Sequence, residues 1–319
     1  MHFMRRVLII ILILSFSCTE KNDIESSNAK ESVNLNRQAK NGRHIFPDGS
    51  IYEGELVMGK PNGYGVHELA NGDAFEGQHK DGLAHGHGTR RYKSNPEIVQ
   101  YVGNWKSGKR DGFGTLILSD SSRMVGDWEN DYFHFGEFLG SNGLVMTGKW
   151  EKEFLEEGFV RSVDGTEFTG ELMNDGSFKQ GTYLDVNGDR YTGYFKNNNF
   201  HGFGILRKKN GTLYTGTFKD GVYSSYGILR ESDDSVYSGE FKNGLPNGEG
   251  VQKDLSGVVY TGSWSEGEKE GSGSLDFGDG TSFTGEFKKG LAVEGVYDWG
   301  NGVQTNSYQD ENGAWHDFE

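Results

Sequence analysis

Tyr237-Ser238-Gly239-Glu240-Phe241-Lys242-Asn243-Gly244-Leu245-Pro246-Asn247-Gly248-Glu249-Gly250 is the stretch that decides the fold. Tyr237, Gly239 and Phe241 are spaced two and two, so in a β-strand all three point to one face, with two rings flanking a bare backbone position. The same skeleton returns from Tyr260 to Gly273, with Trp264 in the second ring position, and from Tyr101 to Gly114, with Trp105 there. Working outward, an aromatic residue or methionine followed two residues later by glycine recurs at Tyr52, Phe75, Tyr101, Met124, Met146, Phe168, Tyr191, Tyr214, Tyr237, Tyr260 and Phe283. The intervals run from 22 to 26 residues, and Trp128 and Trp150 keep the second ring in step. Self-similarity at a fixed period marks a repeat architecture.

In the other half of the unit Gly202, Gly204 and Leu206, or Gly271, Gly273 and Leu275, share one face by the same alternation. Rings of one strand can therefore lie over glycines of its neighbour. Between the halves stand Asp48-Gly49, Asn71-Gly72, Asp164-Gly165, Asn187-Gly188, Asn210-Gly211, Asp279-Gly280 and Asn301-Gly302. Such dipeptides between short strands predict two-residue hairpin turns with positive φ at both central positions. Each unit is thus one hairpin, and eleven hairpins make some 22 strands extending roughly 100 Å at the ordinary strand spacing. The predicted fold is all-β, an elongated single-sheet array of about eleven antiparallel hairpin repeats over residues 44–305. Residues 306–319, with Trp315 among acidic neighbours, are expected to cap it, because a lone hairpin is marginal and array ends need protection.

Spacing, ring identity and glycine placement together resemble the MORN repeat family over roughly residues 44–305. The resemblance implies an elongated scaffold that binds proteins near membranes, with phospholipid contact proposed for some arrays. Some members are fused to kinase or methyltransferase domains, and nothing in this chain resembles either. The units anchored at Met124, Met146 and Phe168 lack the closing Gly-x-Gly. Residues 124–181 are therefore either drifted repeats, tolerated through their neighbours, or a bend or dedicated partner site rich in Trp128, Phe133, Phe135, Trp150 and Phe154.

Composition agrees with a glycine-rich but folded β-chain. Of 319 residues 50 are glycine and only 4 proline, while 13% are aromatic. A formal charge of −15 opposes steering toward nucleic acid. One cysteine rules out an intramolecular disulfide and a multi-cysteine metal site.

That cysteine, Cys18, follows Arg5, Arg6, the aliphatic run Val7 to Leu14, and Ser15-Phe16-Ser17. The arrangement has the charged, apolar and small-residue regions of a signal peptide over residues 1–17. It resembles a bacterial lipoprotein signal, which implies Cys18 as a lipidated first mature residue and export to the cell envelope, with Thr19 favouring the outer membrane. Ordinary cleavage after Ser17, or an uncleaved anchor, are the alternatives. Residues 18–43 then form a polar tether, too poor in apolar groups to fold alone.

Motifs for chemistry do not assemble. Asp276-Phe277-Gly278 lacks the other kinase motifs, and His67-Glu68 lacks a second histidine at position 71, which is Asn71. Asp185, Asn187 and Asp189 begin like a calcium loop, but Arg190 and Lys196 occupy the places of its glycine and its terminal glutamate. His79, His85 and His87 are the one residual metal cluster. We expect no catalytic residue, metal or cofactor. The expected function is a non-catalytic, envelope-anchored scaffold for protein–protein interaction or self-association, with a binding module for envelope glycans or phospholipid headgroups as the alternative. The residues expected to serve it, structurally or in binding, are Cys18 as anchor and the ring rows Tyr52, Phe75, Tyr101, Trp105, Trp128, Trp150, Phe168, Tyr191, Tyr214, Tyr237, Phe241, Tyr260, Trp264 and Phe283.

Overall fold

Alternation along the strand Val236–Lys242 sets the pattern for the molecule: Tyr237, Gly239 and Phe241 are buried, Glu240 and Lys242 are exposed. Leu213–Lys219 and Val259–Ser265 repeat it. The structure, a computed structural model, describes residues 40–318. The signal peptide, Cys18 and most of the tether lie outside the described residues. Every regular element described is a strand. Eleven strands carry the aromatic–glycine motif and eleven return, the 22 expected, and three more are added: Lys40–Ile45 before the array, Gln304–Gln309 and Trp315–Asp317 after it.

The chain divides into two compact units, residues 1–164 with 171–176, and residues 165–170 with 177–319. In each, consecutive strands pair antiparallel as a meander. The division falls inside residues 124–181.

Glycine faces glycine along both meanders until Gly295 meets Ser307 on Gln304–Gln309, where the row ends. In the first unit Gly42 pairs with Gly54, Gly65 with Gly77, Gly88 with Gly103 and Gly114 with Gly126. In the second Gly181 pairs with Gly193, Gly204 with Gly216, Gly227 with Gly239 and Gly250 with Gly262. These glycines share the buried face with the rings, and the reason is space. A Cβ on Gly239 would stand 2.5 Å from the Cα of Gly250 and 2.6 Å from the Tyr237 hydroxyl. The ring of the motif thus lies over its own glycine and over that of the next strand, as the spacing predicts.

The hairpin turns differ from the expectation. At Asn210-Gly211 only the glycine is left-handed, at φ 101°, and the loop closes through Lys208 N–H to Thr212 O at 2.8 Å and Gly211 N–H to Lys208 O at 3.0 Å. The same holds at Asp48-Gly49, Asn71-Gly72, Asp164-Gly165, Asn187-Gly188, Asp279-Gly280 and Asn301-Gly302, where only glycine has positive φ. These are three-residue loops ending in a glycine bulge. Asp48, Asn71, Asn210, Asp279 and Asn301 instead accept a bond from the backbone two residues on, as Asn210 does from Thr212 N–H at 3.0 Å. The two-residue turns with paired positive φ lie inside the unit, at Asn243-Gly244 (54° and 85°) and Asp220-Gly221 (51° and 89°). Loops of the two kinds alternate, and the dipeptide rule does not distinguish them.

The Gly-x-Gly of regular units serves two ends. Its second glycine belongs to the paired row. Its first, such as Gly248 at φ 99°, turns the chain through a bulge opposite the motif strand, where the register shifts between Gly239 and Phe241. In the units anchored at Met124 and Met146 the bulge is one residue shorter, Trp128 pairing with Phe133 and Trp150 with Leu155. No left-handed residue is needed there, so the first glycine is gone while Gly136 and Gly158 remain in the row.

Candidate binding surfaces

Both faces of the sheet follow from this register. On the inner face the motif tyrosine donates its hydroxyl to the carbonyl three residues on, which the bulge has released from the ladder: Tyr191 to Tyr194 O at 2.8 Å, Tyr214 to Thr217 O at 3.0 Å, Tyr237 to Glu240 O and Tyr260 to Ser263 O at 2.9 Å. A buried carbonyl is thereby satisfied. Burial pushes the phenols of Tyr191, Tyr214 and Tyr260 up to about 12, so they stay neutral donors. The second ring packs edge-on against the first, Tyr214 to Phe218 at 5.0 Å and Tyr237 to Phe241 at 5.0 Å. Where it is tryptophan, the indole N–H reaches a row-glycine carbonyl, as Trp105 does on Gly88 O at 3.2 Å and Trp264 on Gly250 O at 3.3 Å.

All fourteen predicted ring positions, Tyr52 through Phe283, are therefore core residues, none more than 7% exposed. They hold the sheet together. Cys18 lies outside the described residues.

The surface rings are others, of which the sequence points only to Phe135, within residues 124–181. Tyr64, Phe113 and Phe203 sit between the two glycines of Gly-x-Gly, and Phe135 and Tyr226 precede a row glycine; all five are exposed by more than half. Their signal was the variable letter between conserved-spacing glycines, which alternation turns outward. In the first unit Tyr64, His87, Phe113 and Phe135 occupy successive return strands, facing Gln78, Asn104 and Asp127 on the strands between. In the second, Thr192, Ile205, Thr215, Ile228, Ser238 and Val251 form a continuous outward row of small and branched side chains.

The motifs set aside for chemistry resolve into turns. Asp185 Oδ1 accepts from Asn187 N–H at 2.8 Å and Asp189 N–H at 2.9 Å, closing a loop. Asp276 accepts from Gly278 N–H at 2.9 Å in another. Among the described residues no set of three His, Cys, Asp or Glu side chains converges as metal ligands. His79 points into the core, whereas His87 is exposed on the other face.

His79 takes the second ring position of its unit, edge-on to Tyr52 at 4.9 Å and Phe75 at 5.0 Å. Nδ1 meets Gly77 O at 3.1 Å, and Nε2 is buried without a partner. Burial, reinforced by His67, pushes its pKa down to about 4. The unfolded chain protonates near 6.5, so stability is complete above that pH, declines as pH falls from 6.5 toward 4 and levels below. At about 1.4 kcal/mol per unit, the loss is roughly 3 to 4 kcal/mol. His79→Phe, which installs the ring of Phe218 or Phe241, is expected to match or exceed the parent at pH 7.5 and to remove that decline. Urea midpoints between pH 7.5 and 4 check it; an equal decline in both proteins would locate the acid sensitivity elsewhere.

The MORN repeat model matches residues 52–74, 75–95, 101–123, 191–213, 214–234, 237–257, 260–282 and 283–304, more than half of the chain. The gap from 124 to 190 takes in the shortened bulges of the units anchored at Met124 and Met146, while the similarly shortened unit anchored at Phe283 is matched. The chain is similar to MORN repeat-containing protein 3 of Xenopus laevis, 40% identical over 70 residues, which are 20% of this chain and 29% of that protein. It is 33% identical over 85 residues to human Alsin, covering 25% of this chain and 5% of Alsin. The chain thus spans less than a third of either relative. Among solved structures it is similar to the SAS-4 TCP domain of Drosophila melanogaster in complex with a proline-rich motif of Ana2, with TM-score 0.32 and 12% identity over 54% of this chain and 88% of that one. On eight matched repeats, a paired glycine row and a ring over each pair, the chain belongs to the MORN repeat family.

Proposed function

We propose that this MORN array is a non-catalytic scaffold, exported to the cell envelope and held there through Cys18, whose outer sheet face docks a partner protein or a second copy of the chain. The observation that carries the reading is the outer face itself. Phe113, Phe135, Phe203 and Tyr226 project from regular strands with no side-chain layer above them, while the inner rings are consumed by the core. Exposed aromatic rows mark interaction surfaces more often than isolated apolar residues do. Photo-crosslinkers at positions 113 and 203 of the membrane-bound protein are expected to give one discrete adduct each, and a crosslinker at the turn residue Lys289 none. Diffuse adducts from all three would sink the proposal. Anchoring is read separately, by intact mass and detergent partitioning of the parent and of Cys18→Ala; added acyl mass lost on substitution supports the tether.

A second reading has its own observation. Rings two strands apart, alternating with Gln78, Asn104 and Asp127, suit a neutral glycan, whose apolar sugar faces stack on rings while amides and carboxylate meet its hydroxyls. Co-sedimentation with insoluble envelope polysaccharide, lost in a Tyr64→Ala/Phe113→Ala/Phe135→Ala variant, would favour it over protein docking.

A further inference from the structure

Repeats provide their own control: a residue that departs from its counterparts in every other unit is worth asking about, and two such departures meet in one cavity. In other units the side chain opposite the motif ring is uncharged aliphatic, amide or imidazole: Leu206 against Tyr214, Leu229 against Tyr237, Gln252 against Tyr260 and His67 against Phe75. Opposite Tyr101 stands Arg90. Opposite the second ring, other units place Phe200, Tyr223, Pro246 or, against Trp264, Lys269. Opposite Trp105 stands Arg110. Between the two arginines lies an inner-face cavity of about 230 Å³, walled by Trp105, Trp128 and Tyr92 and rimmed by Lys109 and Lys152. A regular stretch of the second unit has a groove of similar size, about 240 Å³, lined instead by Leu229, Pro246 and Gln252. The groove belongs to the repeat; the guanidinium groups are peculiar to this place.

Hydrogen-bond accounting shows what the cavity lacks. Asp73 is taken up by Lys93 N–H and Ser94 N–H at 2.9 Å, Arg90 Nη2 at 3.1 Å and Asn71 Nδ2 at 3.3 Å. Asp131 Oδ1 is taken up by Arg110 N–H at 2.9 Å and Nε at 3.2 Å, and Asp131 O by Arg110 Nη2 at 2.8 Å. Asp131 does this from a left-handed conformation, φ 74°, at the place where Gly221 and Gly244 stand in other turns. Its guanidinium partner lies 4.4 Å over the Trp128 ring. Each guanidinium offers five N–H groups, more than these acids accept, and Arg90 Nε is buried with no partner. Of the acids lining the cavity only Glu153 at the rim is left. The cavity holds two guanidinium groups and two lysines against three acids, two of which are already engaged, and is walled by rings.

We infer that the cavity between Arg90 and Arg110 binds a carboxylate carried on an aromatic or branched apolar group, the carboxylate accepting from Arg90 and the apolar body lying against Trp105 and Trp128. Arginine matches a carboxylate in geometry and charge. Two sources share that chemistry, a free organic acid and the C-terminal residue of a polypeptide. The site is on the face opposite the docking rings and stands whether or not that docking is found.

The test is calorimetric titration of the purified full chain with N-acetyl-L-phenylalanine and with its amide. Saturable binding of the acid, at least tenfold weaker binding of the amide, and a tenfold or greater loss in Arg90→Leu are expected. Equal binding of acid and amide, no saturable binding of the acid, or unchanged binding in Arg90→Leu overturns the inference. Because Arg90→Leu also takes an ion-pair partner from the buried Asp73, a fall in Tm is expected with it; Arg90→Lys, which keeps a charge beside Asp73 without the planar fork, is expected to hold the parent's fold and to bind the acid with an affinity between the two. Acetyl-Ala-Ala-Phe with a free C-terminus binding more tightly than phenylacetate supports a polypeptide end as source, and the reverse order supports a free acid.

Discussion

Gly239→Ala is expected to lose roughly 3 kcal/mol or more of unfolding free energy, beyond the usual range for overpacking because the obstacle is backbone. The added methyl would meet the Gly250 Cα at 2.5 Å and the Glu249 carbonyl oxygen at 2.6 Å, neither of which is the far end of a flexible side chain. Relief requires separating Val236–Lys242 from Leu245–Lys253, which breaks the hairpin and the contacts it makes with both neighbours. Gly290→Ala provides the control. That glycine is left-handed at φ 84° but has nothing within 4 Å of its would-be Cβ, so only the conformational cost of about 1 kcal/mol applies. Denaturant midpoints, with hydrogen exchange of the two strands, separate the cases. Equal losses would mean that glycine's freedom, and not the close approach of strands, is what the row requires.

Tyr214→Ala should cost about 3 to 5 kcal/mol, the range for removing a large buried ring. Tyr214 is fully buried, stacks on Tyr223 at 3.8 Å, meets Phe218 and Phe241 edge-on at 5.0 and 5.2 Å, and covers Gly216 and Gly227. Truncation empties the space above two glycines that have no side chain to fill it. Phe241 belongs to the next repeat, so the loss crosses a unit boundary, and unfolding should become less cooperative as well as earlier. Tyr214→Phe keeps the ring and forfeits only the bond to Thr217 O, with an expected loss of about 1 kcal/mol. If phenylalanine were as damaging as alanine, the bulge carbonyl and not the ring would be the dominant element.

Much of this architecture is legible in the chain because strand periodicity and repeat periodicity coincide. Tyr237, Gly239 and Phe241 share a face in any extended chain, and their recurrence makes neighbouring units pack alike. Pairing of Gly239 with Gly250 follows from the same spacing. The turns were less legible: Asn210-Gly211 and Asn243-Gly244 are the same dipeptide, yet one ends a three-residue loop and the other is a two-residue turn. The difference lies in how many residues the flanking ladders consume, which depends on the bulge at Gly248. The cavity at Arg90 and Arg110 was not legible at all. Arg90 and Arg110 are twenty residues apart, and only the pairing of their strands with the one carrying Tyr101 and Trp105 brings them to one groove.

The row of paired glycines has a consequence for assembly. A strand sliding by two residues would drive a side chain into its neighbour's backbone, so the row rejects misalignment along the strand. It is blind, however, to which hairpin is presented, since every rung is alike. An array of interchangeable rungs needs an address on each, and the address lies in what varies: Arg110 over the Tyr101 and Trp128 rings, His79 between Tyr52 and Phe75, the shortened bulges opposite Trp128 and Trp150. Perfecting the repeats toward one consensus would strengthen each hairpin and remove the means by which a hairpin distinguishes its own neighbour from the next.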